Sequence, residues 1–318
     1  MIDTDDIRAA VGSGLLTESQ AASLTALAHS RRGAREDLNP GDEPFELFRG
    51  FNEIFIMVGL VILALGWSGV VGWVIFDSLE TWRATAIAYT AITVGIIWLL
   101  GEYFIRRRRM VGPAILISLM FAGSAGFGLT QQFSQVFMLA QEDYSSLVTP
   151  GLLTVVALMI FWLRFKVPFV MALIALGLFA TALIAAATRF GTPESLSDIF
   201  VFSAESGFAW ITLVLGAVTF VVAMIFDGSD PHRVTRRSVQ GFWLHLVAAP
   251  MIINTVALSI LSNEGPGTYS TMIATMAAFA IVAIVIDRRS FLLAAISYVV
   301  TVTITLNPIV DTPSNHSA

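Results

Sequence analysis

Four consecutive arginines, Arg106 to Arg109, stand between two apolar runs that are each long enough to cross a lipid bilayer. A charged side chain at the bilayer centre costs about 2.5–3.5 kcal/mol on insertion scales, so all four must stay in water. The excess of Arg and Lys on cytoplasmic loops places them inside. Of the 318 residues 56% are hydrophobic and only 13% charged, with a mean hydropathy of +0.78. A soluble domain has roughly twice that share of charge. The chain therefore reads as an all-α, polytopic transmembrane helix bundle.

A helix crosses the hydrocarbon with about 20 residues. Runs of that kind lie near 53–76, 81–105, 111–130, 147–163, 167–188, 207–226, 239–261, 268–286 and 290–306. They make about nine spans in a transmembrane domain of residues 51–308. The loops between them alternate in sign. Arg106, Arg107, Arg108 and Arg109, then Arg164 and Lys166, then Arg233, Arg236 and Arg237, then Arg288 and Arg289 are basic. The loops at 77–80, 131–146, 190–206 and 263–267 hold acids and no basic residue. The alternation predicts the N-terminus inside and the C-terminus outside a bacterial inner (plasma) membrane. Arg83 and Arg189 fall at outer helix ends, where they are expected to snorkel and to meet Asp77, Glu80 or Glu194.

Residues 1–50 hold no long apolar run and read as a cytoplasmic region, neither signal peptide nor anchor. A short helix near Asp5 to Val11 stops at Gly12-Ser13-Gly14. Thr17 and Gln20 have capping-box spacing, and Ala21, Leu24, Leu27 and Ala28 follow as one apolar stripe. The stretch reads either as a folded helical hairpin and linker that offers a face to a protein partner or as a locally helical, otherwise mobile tail. Residues 309–318 form a short polar tail.

Within the spans, small residues at 123–128 predict a close helix contact, and Gly59, Gly66, Gly69 and Gly72 predict another. Phe133, Val136, Phe137 and Ala140 suggest a short interfacial helix between 131 and 146. Glu102 stands four residues before Arg106, a favourable helical pair, and Glu53 falls within one turn of Arg49. Gly66-Trp67-Ser68-Gly69 has the Gly-x-Ser-Gly pattern of intramembrane serine proteases, with His245 as a conceivable base. At 1.5 Å per residue Ser68 lies roughly 22 Å from the inner end of its helix and His245 about 9 Å from the inner end of its own. A gap of about 13 Å in depth excludes that pair. His245, Pro250 and Asn254, with Ser68, remain as a candidate polar cavity beside a proline-bent helix. The simpler reading is a histidine and an asparagine each satisfied by a neighbouring helix.

The stretches Gly14 to Gln20, Gln131-Gln132-Phe133, Thr235-Arg236-Arg237 with Phe242-Trp243-Leu244-His245-Leu246-Val247-Ala248-Ala249-Pro250, and Asp287-Arg288-Arg289 carry a resemblance. They are similar to a family of bacterial inner-membrane proteins known as a domain of unknown function, with a short helical cytoplasmic region followed by many apolar helices. The resemblance implies location and architecture, and no activity. Asn254 stands where such proteins are expected to hold a second histidine, which weakens a two-histidine metal site or relay.

No HExxH, Walker-type loop or paired carboxylate at depth is present, and cysteine is absent, so no catalytic, metal or cofactor-binding set is predicted. Short Arg clusters in membrane loops are no nucleic-acid footprint. Membrane lipid is the expected partner, and the small-residue faces are compatible with an oligomer. The leading functional expectation is a protein that binds or moves a neutral or lipid-like substrate. The alternative is a scaffold or regulator acting through its N-terminal hairpin, with an intramembrane enzyme third.

Overall fold

The computed structural model describes residues 4–21, 23–24, 51–77, 81–138, 140–141, 143–203, 207–229, 236–262, 265 and 267–286. A first helix, α1, spans Thr4–Gly12. Its chain turns at Gly14, whose φ of 75° suits a residue without Cβ. The Thr17 amide then donates to Gln20 Oε1 at 3.0 Å and the Gln20 amide to Thr17 Oγ1 at 3.3 Å, the reciprocal bonds of a capping box.

From residue 45 onward the chain forms a separate unit. Its helices are α2 (Phe51–Asp77), α3 (Trp82–Gly101, widened into a π turn over Glu102–Arg107), α4 (Val111–Phe133), α5 (Val148–Phe165), α6 (Val170–Phe190), α7 (Phe208–Gly228), α8 (Arg236–Leu261) and α9 (Thr268–Ile286). These eight helices are long and apolar enough to cross a membrane. There is no strand among the described residues. The protein is an all-α, multi-pass membrane protein. Residues 290–306, read as a ninth span, lie outside the described residues, as do Arg233, Arg288 and Arg289.

Packing in lipid inverts the polarity rule of a soluble core, because tails are as apolar as leucine and only polar atoms gain by leaving them. Helix α8 follows that logic. It carries Ser238, Gln240, His245, Thr255 and Ser259, all buried. Some 56% of its span is buried, against 6% for α2, which makes α8 the inner helix of the bundle and α2 a peripheral one. It contacts α6, α7 and α9. The other half is built on rings: Phe121 stacks on Phe161 at 4.5 Å, and Trp98 meets Phe165 edge-on at 5.1 Å, joining α3, α4 and α5. Trp67 Nε1 donates to Thr93 Oγ1 at 2.7 Å and ties α2 to α3.

Several expectations change here. Beyond the end of α4 at Phe133 the described residues up to Tyr144 form no further helix: turns follow α4, and a 3₁₀ turn at Ser145–Leu147 leads into α5, with Val136 and Phe137 exposed. Arg83 pairs with no carboxylate among the described residues, and Glu80 lies outside them. Its guanidinium donates to the carbonyls of Gln131 and Ser134, where α4 ends and its last C=O groups lack helical partners. Arg189 is exposed and forms no ion pair with Glu194. Glu102 does pair with Arg106, at 2.9 Å, and with Arg164 of α5 at 2.7 Å. Glu53 is buried, and its Oε2 accepts the Gly112 amide at the start of α4 at 3.0 Å; Arg49 lies outside the described residues.

The two small-residue faces part company. A Cβ on Gly128 would come within 2.4 Å of Thr90, and one on Gly126 within 3.6 Å of Thr154, so that part of the 123–128 face is a contact. Gly59, Gly66, Gly69 and Gly72 meet nothing within 4 Å among the described residues.

Candidate functional site

Helices α7 and α8 form an antiparallel hairpin with unusually close backbones. A Cβ on Gly216 would lie 2.9 Å from Met251 Cβ, and one on Gly241 would lie 2.3 Å from Asp227 Oδ1. Gly216 faces Met251 and Ile252 while Asp227 faces Gly241, so each step along α7 is matched by a step back along α8. That register sets His245, one turn beyond Gly241, against the α7 segment between Phe220 and Asp227. Asp227 Oδ2 lies 2.9 Å from His245 Nε2, and the Phe220 ring meets the imidazole edge at 5.4 Å between centroids.

The His245 side chain has no exposure at all and that of Asp227 only 16%. A neutral imidazole donates its Nε2–H to the carboxylate; a protonated one makes the same contact as an ion pair. In either form the pair links α7 to α8. Gly241 supplies the space the carboxylate occupies, and the imidazole is fully enclosed.

The residues expected to share a polar cavity are placed differently from one another. Ser68 is exposed on α2, the Pro250 residue is exposed on α8, Asn254 is half-buried, and His245 is enclosed. Helix α8 runs through Pro250 without interruption. Asp227 is the residue sequence reasoning missed. It lies one residue past the span expected at 207–226, whereas α7 continues to Gly228. Gly241 and His245, one turn apart opposite a carboxylate at the end of the preceding span, were the available signal.

A cleft of 230 Å³ opens at the other end of the bundle. Its walls come from the 3₁₀ turn before α5, the last half of α6 and the start of α7: Leu147, Leu183, Ile184, Ala187 and Phe208, with Tyr144, Thr192 and Pro193. Two carboxylates belong to the connecting loops at this end. The Ser145 hydroxyl, aided by its amide at 2.9 Å, holds the Asp143 carboxyl below the usual carboxylate range. The Ser195 amide, also 2.9 Å away and helped by the Ser195 hydroxyl, does the same for Asp198. Among the described residues no group of three or more His, Cys, Asp or Glu side chains is placed to hold a metal ion.

Fold and geometry thus define a multi-pass helical membrane protein with a buried histidine–aspartate link toward one end and an apolar cleft at the other. No protein-family model matches the chain, and neither a curated protein nor a solved structure is similar to it.

Proposed function

We propose that the protein binds a neutral, lipid-like ligand in the cleft between the turn that leads into α5 and helices α6 and α7, on the outer side of a bacterial inner membrane. The observation that carries the reading is the 230 Å³ cleft itself, walled by Leu147, Leu183, Ile184, Ala187 and Phe208. The volume is below the ~300–1,000 Å³ of a drug-sized site, so it takes a single chain or a small ring system. Burying apolar surface from lipid gains little, since the solvent being left is itself hydrocarbon. Selectivity then falls to shape and to the Tyr144 and Thr192 hydroxyls among the lining residues. The outer placement rests on the alternating loop charge, which puts this end opposite Arg106–Arg109.

The test is a search for copurified ligand by mass spectrometry on detergent-extracted protein, with Ala187→Trp filling the cleft and His245→Ala as a comparison remote from it. A lipid or apolar metabolite present in the parent and the His245 variant but lost from Ala187→Trp is the expected result. A ligand retained by Ala187→Trp would refute the site.

A second reading, a scaffold acting through the N-terminal region, is favoured by one observation. Leu15 is 79% and Leu24 43% exposed there, while Leu16 is half-buried and Leu27 lies outside the described residues.

A further inference from the structure

The cations at the end of the bundle opposite the cleft are held in place by the fold. Arg106 to Arg109 leave the π turn that ends α3, and Arg164 and Lys166 close α5. These helix ends are joined at two levels. Glu102 Oε2 takes Arg106 Nη1 at 2.9 Å and its Oε1 takes Arg164 Nη2 at 2.7 Å, so one carboxylate sets two guanidiniums side by side. Just beneath, the Phe165 ring lies against Gly101, where a Cβ would come within 2.9 Å of it.

Two more cations rest on aromatic faces. Arg108 lies 5.5 Å over the Tyr103 ring and Lys166 Nζ 4.3 Å over that of Trp162. Arg109 and Lys166 both have φ of 54°, left-handed backbone that costs a residue with Cβ about 1 kcal/mol or more. Both helix ends thus turn sharply on a cationic residue. Arg107 and Arg109 have no ion-pair partner among the described residues.

All six cations are exposed, and among the described residues Glu102 is the carboxylate that pairs with them. At the start of α4 the Gly112 N–H is already taken by buried Glu53, and Pro113 has none to offer. π turns recur at functional sites, and here one carries Arg106 and Arg107 and runs straight into Arg108 and Arg109. Merely keeping charge out of hydrocarbon would require neither the shared carboxylate nor the aromatic rests.

We propose that this rim binds the phosphate headgroup of an anionic phospholipid. Arg106, Arg164 and Lys166 form its fixed part and Arg107 and Arg109 its free donors. A lipid fits better than a soluble phosphate because apolar surface continues from the rim along the same two helices: Leu99 is 69%, Ile160 53% and Leu163 59% exposed. Guanidinium donors match the paired oxygens of a phosphodiester, and acyl chains lie along those leucines and isoleucine.

Full-length protein in neutral detergent, titrated with phosphatidylglycerol or with phosphatidylcholine of the same chains and read by native mass spectrometry, tests this. Phosphatidylglycerol is expected to be retained over phosphatidylcholine. Arg107→Gln and Lys166→Gln should each weaken its binding about fivefold, whereas Arg236→Gln, which removes an equal charge from α8 at the same end, should leave it unchanged. Equal retention of the two lipids would overturn the proposal, as would an equal loss in Arg236→Gln. Displacement of the lipid by equimolar inorganic phosphate would also overturn it, in favour of a soluble-anion site. Thermal unfolding of both variants separates lost binding from lost fold, and agreement between the two exposed positions is required for support.

Discussion

At the scale of single residues, Gly241 is the position with least freedom. An added methyl would stand 2.3 Å from Asp227 Oδ1, so either the carboxylate leaves His245 or the helices part. Overpacking of this kind costs about 1–3 kcal/mol. Gly241→Ala is therefore expected to lower the unfolding temperature in detergent, and Gly241→Val to lower it further. A companion pair isolates the hydrogen bond. Asn at position 227 keeps an oxygen that can accept from His245 Nε2, whereas Leu does not. Asp227→Leu should then be less stable than Asp227→Asn by about 1–3 kcal/mol, the usual penalty for stranding a buried polar group. Equal stability of the two would mean that the imidazole does not depend on the carboxylate 2.9 Å away.

Whole elements were the most legible part of the sequence, because a run of about 20 apolar residues bounded by charge has few alternatives. The eight described spans fall within a few residues of where hydropathy puts them. What hydropathy does not encode is which face of a helix meets a neighbour and which meets lipid, since both are apolar. The glycines of α2 looked like a packing face by spacing alone, yet no described residue stands over Gly59, Gly66, Gly69 or Gly72. Periodicity likewise suggested an interfacial helix at 131–146, where capping demands prevail: Arg83 takes the carbonyls at the end of α4 and the chain turns. Asp227 was hidden for a related reason, because a charged residue at a span's edge reads as loop until the hairpin register is known. The contrast between glycine faces is measurable. Gly128→Leu must displace Thr90, 2.4 Å from the added Cβ, and should cost about 1–3 kcal/mol by separating α3 from α4. Gly66→Leu, with open space around it, should stay within about 0.5 kcal/mol of the parent. A large loss from Gly66→Leu would reveal a partner helix on that face.

For the molecule as a whole, the two ends of the bundle differ in chemistry: arginines fixed by a shared carboxylate and aromatic rings at one, an apolar cleft with hydrogen-bonded carboxylates at the other. Which end faces the cytoplasm decides what each can meet, since inside and outside offer different lipids and solutes. The positive-inside bias predicts Arg109 in the cytoplasm and Ser197, in the loop before α7, outside. The chain contains no cysteine, so a single introduced thiol reports its own side without background. Ser197→Cys, at an exposed position, should react with a membrane-impermeant maleimide in intact cells, and Arg109→Cys only after permeabilisation. The reverse pattern would turn the bundle over. The cleft would then open to the cytoplasm, and the arginine rim would have to find its anionic headgroups in the outer leaflet.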